Sequence, residues 1–156
     1  MMEWFRDAYS WLMDTRPPPE FAAADPPDWL ADIRVLVLTA GRQYRFRVQL
    51  WPGRAVVDST VGHLWFSLAP PGREKVRGER AGDWLSLIER SFGEPAPRHP
   101  NLIDDGLPCT VRLFRREPFT IVRQSWNLSS WWHPGEPLAG LPTAVQLVAE
   151  LYSLER

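Results

Sequence analysis

The sequence predicts an α+β fold: an antiparallel sheet of about five strands built from hairpins, with three helices (N-terminal, middle and C-terminal). Three observations predict it. Apolar and polar residues alternate at period two in neighbouring segments joined by short turns. Three other segments carry apolar stripes at helical spacing. The strand–helix–strand rhythm of a parallel sheet is absent. A chain of 156 residues, 44% of them hydrophobic, suits a single core of ordinary size.

The first helix is expected over 2–15, where Trp4, Phe5, Ala8, Trp11 and Leu12 form one stripe and Glu3, Asp7 and Asp14 stay off it. Pro17, Pro18 and Pro19 stop it, because proline lacks an N–H and its ring clashes with the preceding turn. From 17 to 27 the sequence PPPEFAAADPP reads as an extended connector. The chain thus divides into 1–30, an amphipathic helix with a Pro-rich connector, and 31–156, a single α+β domain.

Residues 33–39 and 43–51 form the clearest hairpin, turning at Ala40-Gly41-Arg42. In its second strand Tyr44, Phe46, Val48 and Leu50 face one way, and Gln43, Arg45, Arg47 and Gln49 the other. Strands are also expected at 55–61 and 64–68. A polar loop, REKVRGERAG, follows. A short helix at 84–92 takes Asp83 as N-cap, Trp84, Leu85, Ile88 and Phe92 as its stripe, and Gly93 just past its end. The long loop EPAPRHPNLIDDGLP has no periodicity. A second hairpin pairs 110–116 with 119–126 around Glu117-Pro118, an irregular stretch follows, and the last helix runs over 142–155 from Pro142.

Charge is uneven along the chain, although the formal net is only −1. Residues 1–32 carry a net of −5, residues 33–54 five arginines and no acid, and residues 110–126 a net of +3. An acidic arm therefore precedes a more basic body, and the simplest reading folds one onto the other. A near-neutral total favours neither nucleic acid nor an anionic membrane as partner. No apolar run approaches the roughly 20 residues that span a bilayer, and the acidic start does not fit a signal peptide, so a cytoplasmic protein is expected. The excess of arginine over lysine, with 16 prolines, points to a GC-rich bacterial genome.

Catalytic signatures are missing. There is no G-x-S-x-G elbow, no P-loop and no G-x-G-x-x-G, and His63, His99 and His133 lack metal-ligand spacing. No catalytic residue, metal site or cofactor is therefore assigned. Cys109, the single cysteine, follows a proline at a strand start and reads as a buried apolar residue. The alternative is a small hydrolase or transferase using His99, Asp104, Asp105 and Cys109 around the 94–109 loop. A further alternative is a weak nucleic-acid binder using Arg45 and Arg47, with Arg34, Arg112 and Arg123 on neighbouring strands.

Nine tryptophans and seventeen arginines remain to be explained. Both residue types are enriched at binding hot spots. Exposed binding residues are expected at Trp4 and Trp11 on the first helix, Arg45 and Arg47 on the wet strand face, and Trp131 and Trp132 in the irregular stretch. The element order is similar to that of the class I chaperones of type III secretion systems. That likeness is one of topology, without a residue motif, and implies binding of protein segments by a homodimer. The expected function is a non-enzymatic protein-binding module of adaptor, secretion-chaperone or immunity-protein type.

Overall fold

A computed structural model describes residues 18–63, 73–76, 81–97 and 106–154. The expected N-terminal helix and the expected strand at 64–68 lie outside the described residues, as do Trp4, Trp11, His99, Asp104 and Asp105. Among the described residues six antiparallel strands form one sheet: β1 (Trp29–Val37), β2 (Arg42–Trp51), β3 (Arg54–His63), β4 (Arg73–Val76), β5 (Pro108–Arg115) and β6 (Thr120–Asn127). Their spatial order is β4-β3-β2-β1-β5-β6, with β1 central and β4 and β6 at the two edges. Two α-helices are described, α1 (Ala81–Gly93) and α2 (Thr143–Leu154). The α+β class and the antiparallel sheet stand as expected, with one strand more than the expected five.

Three local expectations are corrected. β4 takes the residues REKV from the segment expected as a polar loop. Only four residues long, it shows no apolar alternation to reveal it. Helix α1 begins at Ala81, so Asp83 sits inside the first turn, where its charge still favours the positive end of the helix dipole, rather than at the N-cap. In the connector, Pro19–Ala22 closes into a 3-10 turn instead of staying extended, with the Phe21 and Ala23 amides bonded back to Pro18 and Glu20.

Period-two alternation gives the sheet two faces. On one, Ala31, Ile33, Val35, Phe46, Val48, Leu50, Val57, Val111 and Leu113 form the core with Trp84, Leu87 and Ile88 of α1 and Val145, Val148 and Leu151 of α2. The helices pack against each other over this face. Glu94 just past α1 ties them together, accepting from the Thr143 hydroxyl at 2.7 Å and the Thr143 amide at 3.3 Å at the start of α2. At the entry to β5, Asn127 Oδ1 accepts from the amides of Leu107 and Ser129 and from the Ser129 hydroxyl. Gly106 is required here, because a Cβ would lie 2.1 Å from Asn127 Nδ2. No helix among the described residues is long and apolar enough to cross a membrane.

Candidate functional site

The second face of the sheet is charged. The registers set Glu74, Asp58, Arg47, Asp32, Arg112 and Arg123 in one row across all six strands, since each is the direct cross-strand partner of the next. Asp32 stands near the middle of that row and is only 5% exposed. Arg45 grips its carboxylate with two bonds, Nε to Oδ1 at 3.2 Å and Nη2 to Oδ2 at 3.1 Å. Arg34 Nη2 donates to Oδ2 at 3.3 Å, and Arg112 Nη1 stands 3.6 Å from the same oxygen. Burial pushes the Asp32 carboxyl up, but the hydrogen bond from Arg45 and the charges of Arg34, Arg45 and Arg47 outweigh it and hold the group below its ordinary value.

Arg47 pairs with Glu20 of the connector. Burial lowers its guanidinium pKa; the pull of Glu20 opposes this and the neighbouring Arg45 adds to it, leaving the group below its ordinary range. Asp25 of the same connector accepts from Arg54 at 3.2 Å, and its carbonyl accepts from the Trp51 indole. Asp28 takes Arg116 Nη2 at 3.1 Å. The described part of the acidic arm thus lies against the basic body through these pairs.

The expected binding residues fall into different places. Arg45 and Arg47 are on the face where the alternation put them, but they are half-buried and ion-paired rather than free. Arg34 and Arg112 are buried, so the basic sheet surface expected from the arginine clustering is a mixed-charge ladder with Asp32 at its centre. Trp132 is 3% exposed, packed edge-on against Tyr152 and donating from Nε1 to the Glu136 carbonyl at 3.0 Å. Trp131 packs against the core from its rim. The exposed pair expected there is a correction: the 3-10 turn Leu128–Ser130 folds this stretch onto α2. Trp84 and Trp126 are buried, Trp29 lies edge-on to Phe92, and Trp51 stacks under the Arg54 guanidinium at 4.1 Å.

Cys109 is fully buried in the core, and burial pushes its thiol well above the ordinary range despite a backbone hydrogen bond at Trp126. A thiol held neutral and out of solvent is poorly suited to nucleophilic attack. His133 is exposed in the turn after Trp132. Among the described residues no group of three or more His, Cys, Asp or Glu could hold a metal.

What the sequence reading passed over is the β6 edge. The large exposed hydrophobics among the described residues are Phe119, at 57%, and Ile121, at 43%. Both stand at the start of β6, beside an aromatic cluster in which Phe21 meets Phe114 and Phe119 edge-on, each at 6.3 Å. The Leu128 amide bonds the Leu107 carbonyl, and the Arg116 amide the Asp28 carbonyl. With the β1–β5 and β5–β6 registers, these two bonds fix the phase of the ladder. Thr120, Val122, Gln124 and Trp126 turn their backbone groups toward β5, and Ile121 and Arg123 turn theirs outward. Arg123 is exposed, and no acid pairs with it among the described residues. No protein-family model, curated protein or solved structure matches the chain.

Proposed function

We propose that this protein is a non-enzymatic protein-binding module of adaptor, secretion-chaperone or immunity-protein type, acting in a bacterial cytoplasm and docking its partner at the β6 edge. One observation carries the reading. An eight-residue outer strand, with Phe119 just before it and Ile121 within it exposed to solvent, turns backbone donors and acceptors outward beside Arg123, a cation with no acid against it among the described residues. Large apolar side chains beside unpaired strand edges are features that partners use. The opposite edge is blunted, as strands that must not pair usually are: β4 has four residues, three of them charged.

The test compares the tagged wild-type chain with a Phe119→Ser, Ile121→Ser double variant in capture from a native lysate, with thermal melting as the control on folding. A partner retained by the wild type and lost by an equally stable variant is expected. An unchanged set of retained proteins would refute the placement of the docking surface.

A further inference from the structure

Resting on that reading, we infer that β6 binds an extended, acidic segment of a partner protein as a seventh strand, with an apolar residue facing Ile121 and a carboxylate facing Arg123. The backbone phase supplies the first part. The N–H and C=O of Ile121 and Arg123 point away from β5, and among the described residues β6 pairs with no strand but β5. An added strand would satisfy these groups with a ladder of its own.

The side chains supply the second part. Ile121 and Arg123 lie on the charged face two residues apart, with Phe114 and Arg112 as their partners on β5. A guest strand therefore meets an apolar position and a cationic position at that spacing, whichever direction it runs. Arg112 is already engaged by Asp32, whereas Arg123 has no acid against it among the described residues. Arg112 and Arg123 stand side by side in the row, so an acid facing Arg123 would offset two adjacent cations.

Charge also disfavours a second copy of this chain as the guest. The strand TIVRQSWN contains one arginine and no acid. Two-fold pairing with matched faces centred on Arg123 sets it opposite its own copy, or diagonal to it, with no acid on either strand to neutralise the pair. Like charges so placed weaken a sheet.

The experiment uses the full chain and two blocked eight-residue peptides of alternating Thr and Val. One has a Val replaced by Asp, the other the same Val replaced by Lys. The Asp peptide should bind saturably and the Lys peptide about tenfold more weakly, with the preference inverted by Arg123→Glu. Binding should slow amide exchange at Ile121 and Arg123 and leave Trp126 unchanged. Arg123→Pro removes a donor that points outward and should abolish binding with the melting temperature nearly kept. Equal binding of both peptides would overturn the acidic guest, and self-association through β6 would overturn a foreign one. A chain that ignores both peptides, yet loses its native partner on Phe119→Ser, Ile121→Ser, would overturn strand addition and leave the binding reading intact.

Discussion

Replacing Asp32 by Asn keeps the shape of the side chain and removes a negative charge that faces three arginines, Arg34, Arg45 and Arg112. Arg34 and Arg112 are 3% and 1% exposed, so water cannot substitute for the lost carboxylate. Breaking a buried ion pair from one side costs about 3–5 kcal/mol, because the remaining cations stay desolvated. For a chain of this size each kcal/mol moves the melting midpoint by about 2–4 °C, so a fall of about 6–20 °C is expected. Arg45→Ala makes the contrast. It takes away two bonds to Asp32 but leaves Arg34 and Arg112 in place, and its side chain is 30% exposed, so a loss of about 1–2 kcal/mol is expected. Urea unfolding monitored by tryptophan fluorescence at neutral pH measures both. The pH dependence has a definite sign. The Asp32 carboxyl sits below its ordinary value in the folded chain, so its contribution is complete above the unfolded carboxyl range, near about pH 3.9. It is lost as pH falls through the lower folded value, and Asp32→Asn should not show that part of the acid transition. An Asp32→Asn protein melting within 2 °C of wild type (about 1 kcal/mol or less), or no less stable than Arg45→Ala, would refute the ladder as a structural element.

Trp132→Ala should cost about 3–5 kcal/mol, since it empties a buried indole site between Tyr152 and the Glu136 carbonyl; a melt shifted by less than a few degrees would return this residue to the surface. Glu94→Ala removes the acceptor of the Thr143 hydroxyl and amide at the start of α2 and should cost about 0.5–2 kcal/mol in chemical denaturation, with Thr143→Ala adding little on top. Cys109 should resist a thiol reagent at pH 8 in the native chain and react in full once urea unfolds it; fast labelling of native protein would contradict its burial.

The hairpins were legible because Tyr44, Phe46, Val48 and Leu50 alternate cleanly with polar residues, and because Pro and Gly mark the turns. The central strand was harder. β1 reads WLADIRVLV and is buried along almost its whole length, so it shows no alternation, and its first residues, with Asp32 among them, look like the end of an acidic arm. Arg34, Arg45 and Arg112 were read as a basic surface, because the carboxylate that unites them is visible only once the register of three strands is known. Trp131 and Trp132 misled for a related reason: composition counts indoles, while burial depends on how a 3-10 turn and α2 fold over them. The β6 edge was legible only in part. The alternation of Ile121 and Arg123 is in the sequence, but which strand is outermost follows from topology, and β1 takes the centre through pairing to both β2 and β5.

The row of charges also selects one strand alignment. Shifting β2 by one residue against β1 would turn its arginines into the helix-covered core, and burial of the aromatics alone forbids that. Shifting it by two keeps every apolar side chain on the correct side, so hydrophobicity cannot tell the native pairing from this neighbour. Asp32 can. Displaced by two positions, β2 would set Arg45 or Gln49 opposite it in place of Arg47, and the two-bond grip of Arg45 on its carboxylate would be lost in its native form, while Arg34 and Arg112 kept their places beside it. A salt-bridged interior thus distinguishes between alignments that oil-like packing would treat as equivalent, and mispaired hairpins should accumulate on refolding when that carboxylate is neutralised.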